Sequence, residues 1–184
     1  MTAAGGNALG VSRTLDVARP PDEVWEFVRD MGRWASQMPG YISHEALGAD
    51  DSVWTLQVDI GPFKRPVAID VHVIEWRGPH HVHFELKGRH DPFRGAGSFE
   101  SEVSAGGTRI VLDFAVTPTG SMARVLAPMV PPILEAVADQ FSANLRAALQ
   151  PQARTVAPVP PALKPARAVW RLFLDWLRGR YRVH

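Results

Sequence analysis

The chain has 184 residues, 46% of them hydrophobic and 21% charged, which is enough apolar material for one domain with a core. It contains no cysteine, so disulfide bonds, thiolate metal sites and cysteine nucleophiles are excluded. The net charge of +1 conceals an asymmetry: residues 1–150 carry 13 Lys and Arg against 18 Asp and Glu, whereas residues 151–184 carry 7 against 1. The two parts therefore have net charges of −5 and +6 and are attracted to different surfaces.

The N-terminal third predicts a strand followed by two short helices. Residues 1–8 lack the basic and apolar regions of a secretory signal, so we expect a disordered N-terminus of a cytoplasmic protein. Alternation of apolar residues from Leu9 to Val17 predicts a strand. The prolines and acids at 20–23 then predict the first turn of a helix, and a second short helix is expected from Met31 to Met38.

The middle of the chain alternates with a period of two, which predicts six further strands between Tyr41 and Val116. Beyond Pro118, apolar residues at helical spacing predict a long helix from Met122 to Leu149, interrupted by the prolines at 128–132. We therefore predict an α+β domain over residues 9–150 with a helix-grip fold. In this fold a curved antiparallel sheet of about seven strands wraps around a long C-terminal helix.

A sheet that curls over a single helix encloses space, which predicts a pocket for an apolar ligand. The residues expected to surround it are Trp34, Met38, Trp54, Phe84, Phe99, Met122, Leu126, Met129 and Phe141. Two polar residues, Arg13 and Glu75, share the apolar parity of their strands and are expected to orient the polar head of the ligand. The alternatives are that the apolar residues are plain core and that the two polar ones reach solvent.

The C-terminal part predicts an anchor on a tether. Residues 151–165 contain five prolines and predict an extended linker. A helical projection of residues 166–184 gives a narrow arginine-rich sector and a broad apolar face, which is typical of an amphipathic helix on an anionic membrane. The residues expected to contact the membrane are Trp170, Phe173, Leu174, Trp176, Leu177, Arg171 and Arg178. Folding back onto the domain and pairing with another copy remain alternatives, so lipid and protein are both open as its target.

Motifs for other chemistries are missing from the sequence. There is no G-x-S-x-G elbow, no P-loop and no G-x-G-x-x-G, so no catalytic residue is assigned. His72, His81 and His83 lie on the parity opposite the core and no cysteine accompanies them, which favours an exposed histidine-rich face over a metal site. The apolar face of the C-terminal segment is too large for a segment that binds nucleic acid through its phosphates alone, so no nucleic-acid partner is expected.

Several short motifs, taken in order, resemble the START-like (SRPBCC) superfamily over about residues 9–150. They are PPDEVW at 20–25, MPG at 38–40, VDIGP at 58–62, GAGS at 95–98, GTR at 107–109 and the final long helix. Within the superfamily the chain is similar to the CoxG family, which is associated with carbon monoxide dehydrogenase and related molybdenum hydroxylases. Residues 120–126 also resemble polyketide-cyclase-like members.

The resemblance implies a helix-grip cavity that holds an isoprenoid quinone (menaquinone or ubiquinone) or a lipid, with no covalent cofactor. It also implies peripheral attachment to the inner face of the cell membrane and service to a partner oxidoreductase such as a CO-dehydrogenase-like molybdenum hydroxylase. One alternative is a polyketide cyclase or aromatase-like enzyme that uses the same cavity, and another is an adaptor without ligand. Interior positions offer only Arg13, Glu75 and Ser101 as polar groups, so we expect binding and no enzymatic activity.

Overall fold

The computed structural model describes residues 9–60, 63–121 and 123–150. The expected N-terminal disorder at 1–8, the linker at 151–165 and the amphipathic helix at 166–184 therefore lie outside the described residues. None of the helices within the described ranges is both long and apolar enough to cross a membrane.

Seven strands form one antiparallel sheet with the order β1-β7-β6-β5-β4-β3-β2. The strands are β1 (Leu9–Val17), β2 (Tyr41–Ala46), β3 (Asp51–Ile60), β4 (Phe63–Arg77), β5 (His81–Gly88), β6 (Phe93–Ser104) and β7 (Gly107–Pro118). Two short helices, α1 (Pro21–Val28) and α2 (Met31–Ala35), connect β1 to β2. The sheet and the long helix that follows it confirm the predicted helix-grip architecture.

The predicted break in the C-terminal helix is present. A short helix, α3 (Ala123–Leu126), and a 3₁₀ turn (Ala127–Met129) precede the long helix α4 (Val130–Leu149). Pro131 and Pro132 lie in the first turn of α4, where the missing N–H groups would have no helical partner in any case. Regular helix therefore begins at Val130, three residues earlier than the sequence predicts.

The core lies between α4 and the inner face of the sheet. Buried residues of α4 recur every three or four positions, which places them in one stripe along the helix: Leu134, Ala138, Phe141, Leu145 and Leu149. This stripe packs over β1 and β7. The two short helices cover the other half of the sheet with Val24, Val28 and Trp34, all of which are buried.

Arg13 holds α4 on the edge strand β1. Its guanidinium donates from Nε to Oδ1 of Asp139 over 2.6 Å and from Nη2 to Glu135. These hydrogen bonds, the one to Glu135 first, raise the pKa of Arg13 above its ordinary value, so the side chain stays charged. The expectation that Arg13 orients a ligand head is corrected, because its donors are engaged by two carboxylates on the exposed side of α4.

A bulge in β4 reverses the predicted orientation of Glu75. The register between β4 and β5 shifts between Val73 and Glu75, so Ile74 is an extra residue on β4. The alternation of inward and outward side chains along β4 is therefore reversed beyond Ile74. Trp76 faces the interior, while Glu75 pairs with Arg77 on the outer side at 2.7 Å. The expectation that Glu75 faces the ligand is wrong because strict alternation does not hold through this bulge.

Gly107, which follows the β6–β7 turn, requires the absence of a side chain. Its φ is +144°, and a Cβ there would lie 2.1 Å from the carbonyl oxygen of Val17, whereas a Cβ at Gly106 would meet nothing within 4 Å. We predict that Gly107→Ala lowers the free energy of unfolding by about 2 kcal/mol or more. Gly106→Ala, the matched control, should change it by less than about 0.5 kcal/mol. Urea denaturation measures both, and equal effects would contradict this account of the turn.

Replacing Arg13 tests its role as a structural link. Arg13→Met removes two ion pairs on the surface, so the free energy of unfolding should fall by about 1 kcal/mol in low salt. The loss should shrink in about 1 M NaCl, where the Debye length is about 3 Å. Arg29→Met removes one pair with Glu26, in which both side chains are largely exposed, and should cost less than about 0.5 kcal/mol. If Arg13→Met lowers the free energy of unfolding no more than Arg29→Met does, the link to α4 adds no more stability than an isolated surface ion pair.

Candidate ligand-binding interior

Four aromatic rings from α2, α4 and the sheet meet in the interior. The ring centroid of Trp34 lies 5.8 Å from that of Phe84 and 5.9 Å from that of Phe99, both in edge-on geometry. On the side of α4, its centroid lies 5.8 Å from that of Phe141. Phe114 extends the cluster, 5.6 Å from Phe141. Trp34 therefore joins all three layers that surround the interior.

Local hydrogen bonds fix the helix that carries Trp34. Asp30 caps α2 by accepting from the backbone N–H groups of Gly32 and Arg33, at 2.9 and 3.1 Å. Just beyond the end of α2, the carbonyl oxygen of Gln37 accepts from Nδ2 of Asn144 on α4 at 2.8 Å. Both ends of the segment are thus tied down, and the indole of Trp34 is only 5% exposed.

The interior contains a small, partly open cavity of about 20 Å³. Its walls come from the short helices and from β3, β4 and β5: Val28, Met31, Trp34, Trp54, Val71, Val73, Trp76, Val82 and Phe84. A space of this size holds about one water molecule. A larger ligand must therefore displace side chains, and the flexible thioether of Met31 is the wall group best suited to move.

The indole N–H groups around this cavity differ in their partners. Trp54 donates to Oγ of Ser52, and Trp76 donates to Oδ1 of Asp50, each at 2.8 Å. By contrast, Nε1 of Trp34 is buried with no hydrogen-bond partner among the described residues. A buried donor without a partner costs about 1–3 kcal/mol. A bound molecule that places an acceptor at Nε1 of Trp34 would recover this free energy. Oγ of Ser142 on α4 has the same status within the described ranges.

The interior offers hydroxyl and indole groups in an otherwise apolar setting. The buried polar residues of the described chain are Ser52, Ser101 and Thr108. Ser101 donates to the carbonyl oxygen of Pro79 and Thr108 to that of Arg19, so both hydroxyls are occupied by the fold. Nε1 of Trp34 and Oγ of Ser142 are therefore the buried groups of the described residues that remain for a bound molecule, and Trp34 is the one that lines the cavity.

The structure brings together most of the residues expected from the sequence. Six of them belong to one core cluster: Trp34, Met38, Trp54, Phe84, Phe99 and Phe141. Met129 lies half-buried in the 3₁₀ turn outside that cluster, whereas Met122 and the side chain of Leu126 lie outside the described residues. Sequence reasoning missed Trp76, which only the bulge turns inward.

A second concavity lies on the outer face of the sheet. It is an open groove of about 460 Å³ across β5, β6, β7 and β1, with Gly10, Ala96 and Ala115 among its lining. Within this groove, Oγ of Ser98 on β6 donates to Oδ2 of Asp113 on β7 at 3.3 Å. His83 also lies on this outer face, as the parity predicts, and the described residues contain no cluster of three side chains suited to a metal ion.

Solved structures share this fold. A conserved protein from Geobacillus kaustophilus has a TM-score of 0.65 and 17% identity over 76% of this chain and 93% of its own. A START superfamily protein from Mycobacterium smegmatis has a TM-score of 0.60 and 16% identity, covering 76% and 96%. The Zhui aromatase/cyclase from a Streptomyces species has a TM-score of 0.56 and 20% identity, covering 78% and 92%. At these identities the likeness shows the fold alone, and no curated protein sequence matches the chain.

A family profile gives the assignment. The profile of the family described as "Polyketide cyclase / dehydrase and lipid transport" matches residues 8–150. The expectation that the chain is not an enzyme is wrong on this finding, because the family includes cyclases and dehydrases and an aromatase/cyclase shares the fold. The superfamily expected from the sequence motifs is confirmed, whereas the narrower likeness to CoxG stays a prediction. The chain belongs to the polyketide cyclase/dehydrase and lipid-transport family, within the START-like superfamily.

Proposed function

We propose that the domain binds a hydrophobic molecule with a flat ring and a carbonyl group between α2, α4 and the sheet. The observation that carries the proposal is the buried, unpartnered Nε1 of Trp34 beside an apolar cavity. An isoprenoid quinone, menaquinone or ubiquinone, has the matching chemistry. Its ring carbonyl accepts the indole hydrogen bond, and its ring and tail are apolar.

The aromatic walls support a ring-shaped ligand. Phe84, Phe99 and Phe141 surround the indole of Trp34 at centroid separations of 5.8 to 5.9 Å, which are typical of stable aromatic pairs. A planar ring inserted beside them replaces one aromatic contact with another, which offsets part of the cost of opening the cluster. The movement of Met31 and Met38 at the periphery would provide the volume.

A second candidate is the cyclisation of a polyketide chain in the same interior. The family match favours it, since cyclases and dehydrases share this profile, and a poly-carbonyl chain also offers acceptors to Trp34. The two candidates differ in outcome, because a cyclase converts its ligand and a carrier returns it unchanged. Mass spectrometry of a poly-carbonyl substrate analogue incubated with the protein distinguishes them.

The proposal extends to the cellular setting. Residues 166–184, outside the described part of the chain, would hold the acidic domain at an anionic membrane through their basic amphipathic sequence. A partner oxidoreductase at the inner face of that membrane, such as a molybdenum hydroxylase, would then exchange electrons with the bound quinone. What supports this setting is the charge asymmetry, +6 in residues 151–184 against −5 in residues 1–150.

The ligand proposal predicts a specific effect of Trp34→Phe. This change removes the unpartnered donor, so the dissociation constant for a short-chain ubiquinone should rise roughly tenfold, the value of one hydrogen bond. Trp54→Phe is the matched control, because the N–H it removes is already bonded to Ser52. Quenching of the remaining tryptophan fluorescence measures both titrations. Equal losses in the two variants, or no quinone binding by the unmodified chain, would overturn the proposal.

The anchor proposal predicts a loss of vesicle binding on charge reversal. Changing Arg171 and Arg178 together to Glu should lower the flotation of the full chain with phosphatidylglycerol vesicles by more than tenfold, since each cation near the surface contributes about 1 kcal/mol. Arg146→Glu, on the exposed side of α4, is the control and should float as the unmodified chain does. Unchanged flotation of the double variant would rule out this part of the tail as the anchor.

A further inference from the structure

Most cations of the described residues form ion pairs, and those that do not are concentrated at one end of the sheet. Lys87, Arg94, Arg124 and Arg146 have no ion-pair partner within the described ranges. Three of these four are close in the fold. The exception is Arg146, which lies in the last turn of α4.

Lys87 and Arg94 are neighbours across the β5–β6 hairpin. They are directly opposed in the register of the two strands, and both are exposed on the outer face. Two like charges in this position oppose pairing of the strands by a few tenths of a kcal/mol or more. This cross-strand pair therefore does not stabilise the fold. Asp70 lies opposite Lys87 on β4 but forms its ion pair with Arg89, so an anion from outside the described domain can bind Lys87 and Arg94.

Arg124 lies at the same end of the sheet. The backbone N–H of Thr119, just beyond β7, donates to the carbonyl oxygen of Pro92 in the β5–β6 connection at 2.7 Å. This bond brings the start of the α3 segment next to the hairpin that carries the two opposed cations. Arg124 is the second residue of α3 and is exposed.

Apolar side chains are exposed at the same end of the sheet as these cations. Val125 on α3 is 56% exposed and Ile133 on α4 is 47% exposed. Three exposed prolines, at 128, 131 and 132, lie between them in the chain. We call Lys87, Arg94, Arg124, Val125 and Ile133 the α3 surface. Exposed apolar groups on the same surface as cations are typical of proteins that insert at the boundary between lipid headgroups and acyl chains.

The opposite end of the sheet has the reverse character. The β6–β7 turn and the start of α1 lie together there, joined by the hydrogen bond from Thr108 to Arg19. Glu23, Glu100 and Glu102 are exposed at this end, where Glu23 pairs with Arg19 and Glu102 pairs with Arg109. Val103, also at this end, is 75% exposed without a cluster of unpaired cations around it. Most of the cations without an ion-pair partner in the described ranges and two exposed apolar groups thus lie at the α3 end, which suits it to an anionic surface.

We infer that the α3 surface docks directly on an anionic lipid membrane, with Val125 and Ile133 at the headgroup boundary and the three cations against lipid phosphates. The contact extends the proposed membrane association but does not require the interior ligand or the tail to be the anchor. It sets the orientation of the domain: the α3 end faces the lipid, and the acidic end faces away from it.

The experiment uses the full chain, whose lack of cysteine allows a single label. A polarity-sensitive fluorophore is attached at Val125→Cys, and in a matched variant at Val103→Cys. On phosphatidylglycerol vesicles the emission at position 125 should shift to the blue, while the emission at position 103 should remain that of a label in water. Phosphatidylcholine vesicles should leave both emissions unchanged.

Charge variants complete the test. Neutralising Lys87, Arg94 and Arg124 to Gln should weaken binding to anionic vesicles roughly fivefold per cation, whereas Arg146→Gln should not weaken it. A chain that floats while the label at 125 stays in water would overturn this inference and leave the tail as the anchor. A blue shift at both positions would also overturn it. The two proposals fail separately. If the Arg171 and Arg178 double variant loses vesicle binding and the label at position 125 shows no blue shift, this inference fails and the anchor proposal stands.

Discussion

The packing of Trp34 against rings from three directions organises this domain. Its indole touches Phe84 and Phe99 on the sheet and Phe141 on α4, so a single side chain bridges the short helix, the sheet and the long helix. The cap on α2 and the bond from Asn144 to Gln37 hold the backbone that presents it. Burying so large a side chain contributes several kcal/mol through apolar area, which outweighs the cost of one N–H left without a partner.

That unsatisfied group connects stability with function. A core built only for stability would place a partner near Nε1 of Trp34, as Ser52 does for Trp54. In the described part of the chain, the N–H of Trp34 instead lies unpartnered in an apolar interior, close to the flexible side chains of Met31 and Met38. Binding and stability then compete for the same side chains, because a molecule that satisfies the indole also separates the rings that close the core. A ligand that binds only the folded chain still stabilises it, by an amount that grows with the logarithm of the ligand concentration once this exceeds the dissociation constant.

Much of the architecture follows from patterns in the sequence, because alternation and helical spacing are consequences of which side is buried. Leu15, Phe84 and Phe99 lie inside as their parity predicts, and the prolines of α4 occupy a first turn. The orientation of Glu75 does not follow, because the extra residue Ile74 leaves no local signature and reverses parity beyond it. Nor does the engagement of Arg13, since its partners are more than 120 positions away. Cavity volume depends on how side chains of different elements interlock, and no spacing rule contains that information.

Strand order also has a consequence for how the chain folds. Strands β2 to β6 each pair with the next strand in sequence, so β2 to β7 can assemble through short hairpins. β1 is different: Val17 pairs with Thr108 and Leu9 with Val116, 91 and 107 positions further along. β1 therefore pairs with a strand that lies far beyond it in the chain, and α4, which packs on β1 and β7, follows β7 in sequence. Closing this long loop has the largest entropic cost of any strand pairing in the sheet and is expected to be a slow step in folding.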